Sequence, residues 1–127
     1  MVILYLTNNR LKRIESGAFI GLKHLNNLYL SSNELEKLEL GAFNGFSNLI
    51  LLELSDNQLT NLVLGIFSGL MSIQTIYLHK NPLVSIAPGI FTTLTNLRVL
   101  VLPKALSKEL QEQIKKEVHH DCWIKFE

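Results

Sequence analysis

The chain has 127 residues, of which 47% are hydrophobic and 18% are charged, and its formal net charge is +1. This length corresponds to one small domain with enough apolar residues to form a core. The near balance of acidic and basic residues does not favour a nucleic acid or an anionic membrane as partner, and no apolar run approaches the ~20 residues that span a bilayer. The single cysteine, Cys122, argues against a small disulfide-stapled scaffold.

Four segments of the chain share one pattern at a constant period of 24 residues. They read MVILYLTNNRL, LNNLYLSSNEL, LILLELSDNQL and IQTIYLHKNPL. Their equivalent asparagines are Asn9, Asn33, Asn57 and Asn81. Gly-Ala-Phe or Gly-Ile-Phe triplets between them place four phenylalanines at another common position, namely Phe19, Phe43, Phe67 and Phe91. This is the L-x-x-L-x-L-x-x-N-x-L signature of leucine-rich repeats, and it predicts repeats over residues 1–102, with four full repeats and the start of a fifth.

Each repeated position has a predicted physical role. The paired leucines of Leu-x-Leu point to one face of a short strand because side chains alternate along a strand. We therefore predict an α/β solenoid, a horseshoe with five short parallel strands on its concave face. The asparagine amides are expected to bond backbone groups of their own and adjacent coils, and the phenylalanines to form a buried spine. A period of 24 leaves room only for 3₁₀ turns or irregular loops on the outer arm.

The pattern changes after the fifth strand, and residues 103–127 are predicted to form a C-terminal cap. Pro103 follows Leu102, and Ala105 occupies the position of the next asparagine. Apolar residues at helical spacing then predict a capping helix over about 108–119, with Ser107 as its N-cap. We expect the apolar residues that follow to fold back against this helix, namely Trp123, Ile124 and Phe126.

The repeats resemble the typical leucine-rich repeats of animal extracellular proteins, the class found in Toll-like receptors, small proteoglycans and lamprey antigen receptors. Gly17, Phe19 and Leu22, with their counterparts in the third and fourth repeats, match the consensus of that class, whereas the second repeat has Phe46 where leucine is usual. The resemblance implies a non-enzymatic recognition module of a receptor, adhesion or innate-immunity protein, located outside the cell.

Two features of the chain bear on its completeness and its compartment. No signal peptide precedes the first repeat, which begins at Met1. We therefore expect further repeats upstream in the natural protein; the alternative is self-association through the uncapped N-terminal strand edge. The cap also lacks the several cysteines that are usual in secreted members of the class. Cys122 is interpreted as a buried small hydrophobe or, in a longer secreted protein, as half of a disulfide.

The predicted binding site lies on the outward-facing strand positions and the turn that follows them. Tyrosine offers a large rigid surface at low entropic cost, which suits recognition of a protein or glycan; the alternative is that the aromatic residues only pack across strands. Acidic and basic side chains lie beside the tyrosines and suit a partner of mixed charge. The candidate contact residues are Tyr5, Asn27, Tyr29, Glu53, Asp56, Tyr77, His79 and Lys80.

Other functions have weaker support in the sequence. A non-catalytic subunit that carries or stabilises an enzyme, and binds through its convex or terminal surface, is the second hypothesis. An enzyme that uses His79 with Glu53 or Asp56 is the third and weakest. The run His119-His120-Asp121-Cys122 lacks the spacing of a zinc site, and the two histidines suit the C-terminus of a helix. We accordingly predict no metal site and no cofactor.

Overall fold

The computed structural model describes all 127 residues as a stack of coils around one parallel sheet. We number the strands in chain order. The sheet has six strands, β1 (Ile3–Tyr5), β3 (Asn27–Tyr29), β5 (Leu51–Glu53), β7 (Thr75–Tyr77), β9 (Val99–Leu102) and β10 (Trp123–Phe126). Each residue pairs with the residue 24 positions further along the chain, as in Leu4 with Leu28 and Leu100 with Ile124. The constant period therefore aligns all six strands in one register.

Each coil turns away from the sheet through a second, shorter strand. These strands form two separate parallel pairs, β2 (Arg13–Ile14) with β4 (Lys37–Leu38) and β6 (Asn61–Leu62) with β8 (Ser85–Ile86). The outer arms contain no helix and consist of turns closed by backbone bonds such as Ile20 N to Gly17 O, 3.1 Å. The prediction of turns or irregular loops on the outer arm is thus confirmed, whereas the two-residue strands were not predicted.

Stacked phenylalanine rings fill the space beneath the outer arms. The ring of Phe67 lies 6.4 Å from that of Phe43 and 6.0 Å from that of Phe91, and all three are buried. Phe19 is only partly buried and stacks instead on Phe46, with 5.1 Å between ring centroids. The phenylalanine in place of the usual leucine therefore supplies the aromatic partner of the first coil.

A ladder of asparagine side chains joins consecutive coils at the end of the strands. The Asn57 amide nitrogen donates to the carbonyls of Leu30, Leu54 and Ser55 at 3.0–3.1 Å, and its oxygen accepts from Leu35 N at 3.0 Å. Asn33 and Asn81 bond their coils in the same way. The ladder thus satisfies turn backbone groups that would otherwise be buried without partners.

The cap is a short helix followed by the sixth strand. Helix α1 (Lys108–Glu117) ends two residues earlier than predicted, and the Ser107 hydroxyl caps its start by accepting from Leu110 N at 3.2 Å. The Glu117 carboxylate accepts hydrogen bonds from Gly89 N at 2.8 Å and Phe91 N at 3.5 Å, which ties the helix to the fourth coil. Within the helix, the side chain of Ile114 is fully buried.

The residues after the helix differ from our expectation. Trp123, Ile124 and Phe126 do not simply cover the helix, because their backbone pairs with β9 as strand β10. The alternation within β10 turns Ile124 and Phe126 toward the core and leaves Trp123 and Lys125 exposed. The physical reason is that the free edge of β9 offers backbone partners that a helix surface lacks.

The phenylalanine stack yields the first prediction. Replacing Phe67 with alanine should lower the free energy of unfolding by about 3–5 kcal/mol, because a buried ring with two stacked neighbours leaves a cavity. Chemical denaturation of the two proteins measures the change. The matched control is Phe19→Ala, where the ring is partly exposed and the loss should be smaller. Equal stability of the Phe67 variant and the original protein would contradict the spine.

The asparagine ladder yields the second prediction. Asn57→Ala leaves the buried Leu35 N–H without a partner. The carbonyls of Leu30, Leu54 and Ser55 keep bonds from Asn33, Asn81 and Ser32 N. One unsatisfied buried donor costs about 1–3 kcal/mol, so we expect a loss of about 1–3 kcal/mol in denaturant unfolding, with a smaller contribution from the lost bonds to the carbonyls. Asn9→Ala removes only two exposed bonds, to Leu6 O and Thr7 O, and serves as control. Similar losses in both variants would show that the ladder is not a main source of stability.

Candidate binding surface on the concave face

The outward-facing strand residues form two parallel columns on the concave face. We call the column that runs through the third residue of each strand the central column, and the one through the first residue the side column. The strand register places Tyr5, Tyr29, Glu53, Tyr77, Val101 and Lys125 in the central column, where Val101 is buried by its neighbours. The side column contains Ile3, Asn27, Leu51, Thr75, Val99 and Trp123.

The three tyrosines lie outside the core, as the repeat pattern predicts. Tyr5 is 67% exposed, and Tyr29 and Tyr77 are partly buried. The rings of Tyr5 and Tyr29 stack with 4.8 Å between centroids and 14° between planes, while the Tyr29 hydroxyl lies 3.5 Å from the Asn27 amide nitrogen. Cross-strand packing thus orients these rings and still leaves a contact surface.

The acidic side chains next to the tyrosines are held in place by hydrogen bonds. Glu53 accepts from the backbone N–H of Ser55 at 2.8 Å, and Asp56 accepts from the Ser32 hydroxyl at 2.8 Å. Asp56 and Lys80 both have positive φ, 54° and 56°, at equivalent turn positions. Since this backbone conformation is unfavourable for residues other than glycine, the stacked coils impose it, and both side chains are exposed.

His79 lies beside Tyr77, but the structure does not pair it with the acids that the catalytic hypothesis requires. Its ring meets the Tyr77 ring edge-on at 6.0 Å, and its Nε2 lies 3.7 Å from the carboxylate of Glu127. Glu53 and Asp56 bond elsewhere. A hydrogen bond from Lys125, together with its charge, lowers the pKa of Glu127. The geometry therefore gives no support to a catalytic pair.

Sequence reasoning missed two exposed residues of the sixth strand. Trp123, which is 57% exposed, extends the side column next to Val99, and Lys125 extends the central column next to Val101. The segment Trp-Ile-Lys-Phe repeats the alternation of Thr-Ile-Tyr-Leu at residues 75–78 and begins two periods of 24 after Thr75. That spacing is the signal that could have identified the strand.

The outer arms carry apolar side chains of a different kind. Leu64 and Met71 are exposed there and line a shallow cleft of about 370 Å³ together with Phe67, Ile90 and Leu94. A second cleft, of about 640 Å³, lies beside the unjoined strands β4 and β6, with Leu40 and Val63 at its edge. The structure therefore offers two distinct surfaces, an aromatic concave face and an aliphatic outer arm.

Comparison with known proteins identifies the family. The sequence matches the family model described as leucine rich repeat over residues 1–59 and 23–83. The chain therefore belongs to the leucine-rich-repeat family. No curated protein matches the chain in sequence. No helix of the chain has the length and apolar character needed to cross a membrane.

Solved structures of receptors share this fold. The chain is similar to a chain of the TLR13–ssRNA13 complex, with 30% identity, a TM-score of 0.84, and coverage of 96% of this chain and 17% of that one. It is also similar to a chain of the glycosylated Drosophila Toll–Spatzle complex, with 26% identity, a TM-score of 0.83, and coverage of 98% of this chain and 18% of that one. For a second structure of the Toll–Spatzle complex, the identity is 25%, the TM-score is 0.74, and the coverage is 81% of this chain and 14% of that one. The chain thus spans less than a fifth of the length of these chains.

The cysteine yields a third prediction. Cys122 is partly buried and forms no disulfide, and burial raises the pKa of its thiol more than the nearby Arg98 lowers it. Because the thiolate is the reactive form, Cys122 should react with iodoacetamide more slowly at pH 8 in the folded chain than after unfolding in guanidinium. Mass spectrometry of timed samples measures both rates. Equal rates would show that burial does not protect the thiol.

Proposed function

We propose that the chain is a recognition segment of a receptor-type leucine-rich-repeat protein, and that it binds a protein partner through its concave face. The observation that carries the proposal is the group of accessible aromatic side chains on one rigid sheet, Tyr5, Tyr29, Tyr77 and Trp123. Aromatic residues dominate binding energy at protein interfaces because they bury large areas with few rotatable bonds. Similarity to the receptor structures supports the same class and favours a location outside the cytoplasm.

The charges on the face favour protein over RNA. Glu53 and Asp56 lie in the middle of the surface, with Lys80 and Lys125 toward the C-terminal coils. The carboxylates would repel a continuous phosphate backbone, whereas a protein or a charged glycan can match both signs. The fold itself does not exclude a nucleic acid, because a protein with this fold is present in the TLR13–ssRNA13 complex. Single-stranded RNA is therefore an alternative partner, which the cross-linking experiment described below must distinguish from a protein.

The size of the face indicates that it is one part of a larger interface. Six strands at about 4.8 Å spacing and a width of three or four residues give at most roughly 240–310 Å², compared with about 800 Å² per partner in a standard interface. We therefore propose that neighbouring repeats of a longer protein, or the edges of these coils, contribute the remaining contacts.

The outer arm supports a second hypothesis, a non-catalytic subunit that carries or stabilises another protein. Exposed aliphatic residues such as Leu64 and Met71 adjoin a cleft there, and exposed apolar patches often mark contact surfaces. In both hypotheses the chain binds and does not catalyse, and no cofactor is required. The two differ only in the surface that meets the partner.

Site-specific photo-cross-linking in the full-length protein tests which surface binds. Benzoylphenylalanine replaces Tyr29 on the concave face or, as matched control, the exposed Ser68 on the outer arm. We expect adducts from position 29 that protease removes and ribonuclease does not. Adducts from position 68 alone would overturn the concave-face proposal in favour of the carrier hypothesis. Adducts that ribonuclease removes would identify RNA as the partner.

Once a partner is captured, alanine variants measure the contribution of the tyrosines. Tyr29→Ala or Tyr77→Ala should weaken binding roughly 10- to 30-fold, the effect expected for an aromatic hot spot. Thermal unfolding of each variant should change little, because both rings lie outside the core. Thr92→Ala, an exposed outer-arm change, is the control for binding. Unchanged affinity in both tyrosine variants would contradict their proposed role.

A further inference from the structure

The turn between helix α1 and strand β10 brings three metal-ligating side chains together. Cys122 N donates to His119 O at 2.8 Å and thereby closes a four-residue turn. The donor atoms of His119, His120 and Asp121 all lie within 4.8 Å of one another, and all three residues are exposed. Consecutive residues diverge on a helix or a strand, but a tight turn allows their side chains to converge. The helix ends before these residues, so the sequence-based interpretation of the histidines as helix-terminal is wrong.

The spacing of the donor atoms is close to that of a tetrahedral metal site. His120 Nε2 lies 3.3 Å from one oxygen of Asp121, and His119 Nδ1 lies 3.7 Å from the other. In a tetrahedral zinc site with bonds of about 2.0–2.1 Å, neighbouring ligand atoms are ~3.4 Å apart. The two imidazole rings lie side by side, with 4.2 Å between centroids and 35° between planes. With all three donor atoms within 4.8 Å of one another, side-chain rotations can direct them at one point.

We propose that His119, His120 and Asp121 bind one divalent transition-metal ion of the Zn²⁺ class, with water as the remaining ligand. Two imidazole nitrogens and one carboxylate oxygen suit Zn²⁺, Ni²⁺ or Cu²⁺ better than Mg²⁺ or Ca²⁺, which prefer oxygen ligands. His119 Nδ1 accepts a hydrogen bond from Asp121 N at 3.3 Å, so this nitrogen carries its lone pair, and the bond to the ion would replace this hydrogen bond.

The bound ion has a structural consequence for the cap. The turn connects α1, which Glu117 ties to the fourth coil, with β10, which carries Trp123 on the concave face. An ion that bridges the turn would restrict the start of β10 and would bind the folded chain better than the unfolded one. Metal binding should therefore raise stability. This inference is independent of the proposed partner on the concave face.

Calorimetric titration of the 127-residue chain with zinc chloride tests the site, together with thermal unfolding at several zinc concentrations. We expect one bound ion and a melting temperature that rises with zinc. His120→Gln and Asp121→Asn should each weaken binding roughly 10-fold or more, the loss typical of disrupting a metal site. Both side chains are exposed, so both variants should fold, which circular dichroism verifies.

Two matched variants complete the experiment. His24→Gln removes an exposed histidine elsewhere and should leave zinc affinity unchanged, while Asp121→Glu keeps a carboxylate and should retain most of it. Equal zinc affinity of the original chain and the His120→Gln and Asp121→Asn variants would overturn the proposal. So would equal affinity of the folded chain and the chain unfolded in urea, since that result indicates a flexible histidine pair and not a site formed by the turn.

Discussion

The stacking of coils at one fixed period is the constraint on which the rest of this structure depends. A single coil cannot bury its leucines or satisfy its turn backbone alone, and both requirements are met only by the coil 24 residues away. The side chain of Asn57 shows the coupling most clearly, because it bonds carbonyls of its own coil and of the preceding one while accepting from the preceding turn. Hydrophobic burial and hydrogen bonding therefore favour the same register.

That register determines the character of the binding surface. Because each strand pairs without offset, every outward position becomes a column, and Tyr5 stacks directly on Tyr29. The same turn position takes positive φ in four successive coils, and Asp56 and Lys80 are exposed there. The framework thus orients its surface residues at little entropic cost on binding, because their backbone is already fixed. Substitutions at these exposed positions would alter the surface without altering the buried framework.

In the cap the 24-residue period of strand pairing continues although the leucine-rich-repeat motif ends. Ala105 replaces the asparagine and a helix replaces the outer arm, yet Trp123 pairs with Val99 at the usual 24-residue spacing. Helix α1 provides the connection that any two parallel strands require, and Glu117 fixes it to the neighbouring coil. The cap consequently acts as a sixth coil: it covers the core with Ile114 and adds Trp123 and Lys125 to the concave face.

The sequence by itself determined the repeat, the five strands, the asparagine ladder and the outward tyrosines, because each of these follows from a local periodicity. Contacts between segments that do not share the repeat pattern were decided only by the tertiary structure. The pairing of β10 with β9, the stacking of Phe19 on Phe46, and the placement of His79 beside Glu127 are of this kind. The convergence of His119, His120 and Asp121 depends on a turn geometry that residue spacing does not specify. Periodic contacts can be read from sequence because they recur, whereas each of these contacts occurs once.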